Sequence, residues 1–105
     1  MATLTEALQA ASGADAALDA RLSQELGAPP ADYTASVDAA LRLVHHALPG
    51  WGWHVGWHAD GVTPYATLHD AARTAHVEAA GPTVPLALLR AVAKAVDQHG
   101  TSVAR

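Results

Sequence analysis

The stretch from Pro49 to Gly61, PGWGWHVGWHADG, constrains the fold more than any other part of the chain. It contains all three tryptophans. Its residues alternate strictly. Trp51, Trp53, Val55, Trp57 and Ala59 fall on one side of a strand, and Gly52, His54, Gly56 and His58 on the other. Asp60-Gly61 follows, a pair that closes two-residue hairpins. With that turn the register is determined. Trp57 opposes Pro64, Val55 opposes Ala66 and Trp53 opposes Leu68, all apolar pairs. On the other face His58 opposes Thr63, Gly56 opposes Tyr65, His54 opposes Thr67 and Gly52 opposes His69, with Tyr65 free to lie across Gly56. Pro64 has no N–H to donate, so the second strand is expected to be ragged there.

A third strand is expected over 73–79. Ala75, Val77 and Ala79 extend the apolar face, and Thr74, His76 and Glu78 the polar one. Helices flank these strands. Thr3-x-x-Glu6 has the form of a capping box and opens a short helix to about residue 11. A second helix starts at Asp15, carries Leu18, Leu22 and Leu26, and stops at Gly27 before Pro29-Pro30. Both are Ala-rich and are expected to pack less firmly than the rest. Thr34 is read as the cap of a third helix with the stripe Val37, Ala40, Leu41, Val44 and Leu48. His45 and His46 lie in its last turn, where the dipole favours an imidazolium; they read as solvated or structural. Thr83 caps a fourth helix with the stripe Leu86, Leu89, Val92, Ala93 and Val96, ending at Gly100.

The order helix, helix, helix, strand, strand, strand, helix describes one α+β domain over 1–105, with a small antiparallel three-stranded sheet packed with helices. Residues 1–28 form a helical N-terminal region, and 33–100 the helix–three strands–helix core. The helices at 34–48 and 83–99 are the expected cover for the tryptophan face. Burying each tryptophan would be worth about 4–6 kcal/mol as an upper bound, so Trp53→Ala is expected to unfold the domain.

Composition narrows the function. The chain has no cysteine, which removes disulfides and thiol chemistry. Its formal net charge is −4, and nucleic-acid binding is not expected. No apolar run is long enough to span a membrane, and no basic-then-apolar leader opens the chain, so the expectation is a cytoplasmic protein. Seven histidines could move the charge from −4 to +3 on full protonation, making the surface potential pH-sensitive.

His54, His58, His69 and His76 share one face, which invites a metal site. His54 and His58, however, stand about 13 Å apart along a strand, too far for one zinc. No two histidines face each other in the first hairpin, and His69 is only diagonal to His54. No metal or other cofactor is therefore expected. None of the serines at 12, 23, 36 and 102 sits in a Gly-x-Ser-x-Gly elbow. The strand glycines do not form a phosphate loop. Asp60, Asp70 and Glu78 are explained as turn or edge residues. The expectation is a protein that is not an enzyme. What is left is binding: the face bearing His54, His58, Tyr65, His69, His76 and Glu78 is flat, lightly charged and aromatic, as a protein interface can be. The plainer reading is a solvated sheet face, or one covered by the N-terminal helices.

Four segments together resemble the phage ABA sandwich domain, a family of small phage and prophage proteins. They are Leu18-Asp-Ala-Arg-Leu22 with Gly27, the run Tyr33 to Leu41, the run Leu48 to Val55, and Thr83 to Leu89. The resemblance spans roughly residues 14–98. It implies a helix–sheet–helix layering and a phage or prophage origin, and it supplies no catalytic residues. By analogy with small acidic phage proteins, it implies a module that binds a host or phage protein, including the inhibition of a bacterial defence system such as CRISPR–Cas. The alternatives are a small-ligand or metal-binding domain using the histidine face, and a virion accessory protein. A homodimer through the edge at 73–79 is also open.

Overall fold

A computed structural model describes residues 3–99. It contains α1 (Leu4–Ala10), α2 (Ala16–Leu26), α3 (Val37–Ala47), β1 (Gly52–Trp57), β2 (Pro64–His69), β3 (His76–Ala80) and α4 (Val84–His99). The expected stop at Gly100 lies outside the described residues. The strands form one antiparallel sheet in the order β1-β2-β3, an α+β arrangement as expected.

The local signals in the sequence explain most element ends. Thr3 and Glu6 make a reciprocal capping box at α1. Asp15 caps α2 by accepting from the Leu18 amide, and Gly27 ends it in the left-handed conformation at φ 65°. Helix α3 departs from expectation: its cap is Ser36, which accepts from the Ala39 amide, not Thr34. Thr34 is instead almost fully buried. Its hydroxyl accepts from the Asp15 amide at 2.8 Å and donates to Asp19 Oδ1 at 2.7 Å, while its own amide donates to the same carboxylate oxygen at 2.7 Å. Thr34 thus ties the loop before α3 to the first turn of α2. Thr34→Val keeps the shape and removes the hydroxyl, leaving the Asp15 amide unpaired. It should cost about 1–3 kcal/mol by denaturant unfolding.

The buried stripe of α3 is also rotated from the one expected. Ala39, Ala40, Leu43, Val44 and Ala47 are buried, and Val37 is exposed. The alanines carry little weight in a bulk-hydrophobic reading, yet Ala39, Ala40 and Ala47 are fully buried on a helix that packs against α4. Helix α4 is the centre of the molecule. Leu86 to Leu89, Ala91 to Ala93 and Ala95 are all buried, so it is apolar nearly all round. It lies across β2 and β3, with α3 and α1 against it.

The N-terminal helices are better packed than expected. Leu8, Leu18, Leu22 and Leu26 belong to the same core as the sheet and α4. Arg90 on α4 adds polar ties at α1: its guanidinium donates to Leu8 O, Gln9 O and Ala11 O at the end of α1 and to Ala80 O of β3.

All of this packing lies on one face of the sheet. His54, His58, His76 and Glu78 on the other face are exposed, so helices do not sandwich the sheet.

Candidate functional site

The first hairpin has the expected pairing: Gly52 faces His69, Trp53 faces Leu68, His54 faces Thr67, Val55 faces Ala66, Gly56 faces Tyr65 and Trp57 faces Pro64. Its closure differs. Gly61 N donates to His58 O at 2.8 Å and His58 N to Thr63 O at 2.9 Å, so the loop is four residues, Ala59 to Val62. The Asp60 carboxylate organises it, accepting from the amides of Val62 and Thr63 and from the Thr63 hydroxyl. These bonds, the Thr63 hydroxyl first, hold the Asp60 pKa down to about 2. Asp70 does the same for the second loop. It accepts from the Ala75 and Thr74 amides and the Thr74 hydroxyl, and its pKa is likewise lowered, chiefly by the Ala75 amide. That loop absorbs Arg73 to Ala75, so β3 begins only at His76. Pro64 ends the β2–β3 ladder as an acceptor, taking a bond from Gly81 N at 3.1 Å, so its missing N–H disturbs nothing in β1.

The polar face has the expected residues in one place. Tyr65 lies flat across Gly56: a Cβ there would fall 2.9 Å from its hydroxyl and 3.0 Å from its ring carbons. The ring sits between two imidazoles, with centroids 5.2 Å from His58 and 6.1 Å from His54. His69 similarly lies over Gly52, where a Cβ would come within 2.4 Å of Nε2. The glycines of β1 are the floor on which these rings rest. In the second hairpin His69 faces His76 and Thr67 faces Glu78. Two histidines therefore do stand opposite each other, although His69 turns its ring toward β1. Among the described residues no three His, Cys, Asp or Glu side chains are grouped as a metal site. The face is a flat aromatic and imidazole platform; cavities of about 400 Å³ lie among the helices, and one of about 410 Å³ lies at the β3 edge, lined by Glu78, Arg90 and Lys94.

The apolar face corrects the sequence reading most. Trp53 is 42 % and Trp57 59 % exposed, and Val62 in the loop is 74 % exposed. Only Trp51 and Val55 pack, half-buried, against the core. The reason is width. A helix about 10 Å across covers two strands spaced about 4.8 Å apart, and α4 takes β2 and β3. β1 overhangs with its tryptophans pointing past the helix layer. The sequence contains a signal for this: three strands joined by consecutive hairpins put the first one at an edge.

The two sheet edges are unlike. The His58–Thr63 bond places the β1–β2 bonded pairs at Gly52, His54 and Gly56, so the N–H and C=O groups of Trp53, Val55 and Trp57 point to the free edge. At the opposite edge the outward carbonyls of Glu78 and Ala80 are taken by Lys94 Nζ at 3.1 Å and Arg90 Nη1 at 3.0 Å. The β3 edge, where pairing with a second copy was open, is thus partly closed by α4 side chains. Among the described residues nothing caps the outward groups of β1.

No family model, curated protein or solved structure matches this chain. No described helix is long and apolar enough to cross a membrane.

Proposed function

We propose that this chain is a non-enzymatic protein-binding module that docks its partner on the face formed by His54, His58, Tyr65, His69, His76 and Glu78. The observation that carries the reading is the Tyr65 ring lying flat over Gly56 between His58 and His54 on an uncovered sheet. A tyrosine fixed in this way offers apolar area and a hydroxyl at little entropic cost, the combination that protein interfaces favour. Imidazoles around it add donors and acceptors without a fixed charge. The resemblance in the strand and helix motifs supplies the setting: a phage-encoded protein acting on a host protein, with inhibition of a defence system such as CRISPR–Cas as the activity to assay.

The test is capture from bacterial lysate by the immobilised chain, alongside a variant carrying His54→Ala, His58→Ala and Tyr65→Ala. A specific partner retained by the parent chain and reduced at least tenfold by the variant is the expected result. Capture that is equal for both places the docking surface elsewhere, and capture of nothing counts against the module.

A further inference from the structure

The open edge of β1 is complementary to itself. The outward-directed groups belong to Trp53, Val55 and Trp57, which are spaced symmetrically about Val55. A second copy laid antiparallel along this edge, with the two-fold axis at Val55, meets three matched rows. Val55 faces Val55, and each Trp53 faces a Trp57. On the opposite face each His54 meets a Gly56, and each Gly52 meets a His58. Each histidine thus stands opposite a glycine whose own surface is already covered by Tyr65 or His69 of the same chain, and its ring extends outward from the sheet. No imidazole is set directly opposite another, so protonation puts no like charges in register.

Of the registers allowed by the bonding alternation, the one centred on Val55 alone sets both tryptophans opposite residues of the partner's β1; centring on His54 or Gly56 pairs one with Val55 and carries the other past the strand. Centring on Trp53 or Trp57 sends the other tryptophan past the end of the strand. The two indoles also account for their own exposure. Together they leave bare about one tryptophan's worth of surface, on the order of 200 Å² per protomer, on a strand whose outward backbone groups are uncapped.

We infer that β1 is a homodimerisation strand, pairing antiparallel with β1 of a second copy about Val55 to build a continuous six-stranded sheet. An isologous contact of this kind closes on itself, and the β3 edges left at both ends are partly closed by Arg90 and Lys94, which take the carbonyls of Ala80 and Glu78. The strand and its tryptophans fall short of the roughly 800 Å² per partner of a standard interface, so the pairing is a weak, reversible one. The two histidine faces lie side by side in the dimer. The inference does not depend on what docks there.

The chain lacks cysteine, so a single introduced thiol reads the register directly. Val55→Cys places two thiols across a hydrogen-bonded antiparallel pair, with Cα atoms about 5.5 Å apart and within disulfide reach. Under mild oxidation it should give a covalent dimer of twice the 10.8 kDa chain mass. His54→Cys, set opposite Gly56 of the other copy, should crosslink at least tenfold more slowly. Sedimentation of the cysteine-free chain from about 1 μM to 1 mM should show reversible dimerisation. Trp57→Lys, a change at a surface position, should weaken it at least tenfold with the fold retained by circular dichroism. A chain that stays monomeric to 1 mM overturns the inference. So does a dimer untouched by Trp57→Lys, or one in which His54→Cys crosslinks as fast as Val55→Cys.

Discussion

Leu68→Ala should destabilise the domain by about 3–4 kcal/mol, while Trp57→Ala, although it removes a far larger side chain, should cost about 1 kcal/mol or less. Leu68 is fully buried at the centre of β2, the middle strand, beneath α4. Truncation there loses the transfer free energy of the side chain and leaves a cavity that a helix seated on two strands cannot close. Trp57 is more exposed than buried and stands on the overhanging strand. Its removal loses only partial contact on the helix side. Trp53, somewhat less exposed, should fall between the two. Denaturant unfolding below the concentration at which copies associate ranks the three directly. A Trp57→Ala cost equal to that of Leu68→Ala would mean that helices reach over β1 after all.

That ranking inverts the one read from the sequence, and the reason is specific. Alternation assigns Trp53 and Trp57 to the apolar face, and the structure agrees. Alternation says nothing about how far across the sheet the helix layer extends. Coverage is set by a helix diameter against a strand spacing, and by Ala66, Leu68 and Val77 being the residues that fit beneath α4. The register was legible for a robust reason. Two- and four-residue loops centred on Asp60-Gly61 give identical pairing, so misjudging the closure left every partner unchanged. Capping at Thr3, Asp15 and Gly27 was local and therefore readable. Thr34 and Ser36 are both good caps two residues apart. Only the tertiary contact with Asp15 and Asp19, far away in sequence, withdraws Thr34 from that role. The polar face was legible residue by residue, because period-two patterning is all it requires. The pairing of His69 with His76 was not, since it depends on where the second loop ends, and Asp70 determines that by gathering in Thr74 and Ala75.

Arg90→Met should cost about 2–4 kcal/mol and lower the melting temperature by about 10–25 °C, a larger effect than a half-exposed cation ordinarily has. The size follows from what the guanidinium holds. Helix α1 is seven residues long, has no basic residue in its last turn and is too short to be stable alone. Of the carbonyls at its end, Leu8 O has only a long bond of 3.3 Å from the Ala11 amide. Arg90 meets three of the carbonyls at that end, from Leu8, Gln9 and Ala11, and uses its fourth bond on Ala80 O at the sheet edge. One side chain therefore caps α1, satisfies the helix dipole and fastens the helix to β3 and α4 at once. No carboxylate is needed, because the carbonyl ends supply the negative potential; desolvation in this setting lowers the Arg90 pKa without neutralising the group. Methionine keeps most of the apolar stem, strands the carbonyls of Gln9, Ala11 and Ala80 at about 1 kcal/mol each, less what water recovers, and leaves Leu8 O with the long Ala11 bond alone. Arg90→Lys should restore no more than half the loss, since a single ammonium cannot span the end of α1 and the edge of β3 together. Hydrogen exchange locates the effect: amides of α1 should lose protection in Arg90→Met well before those of β2 and α4. A uniform loss across the domain would show that α1 is held by Leu8 and its apolar contacts, with Arg90 a bystander at its end.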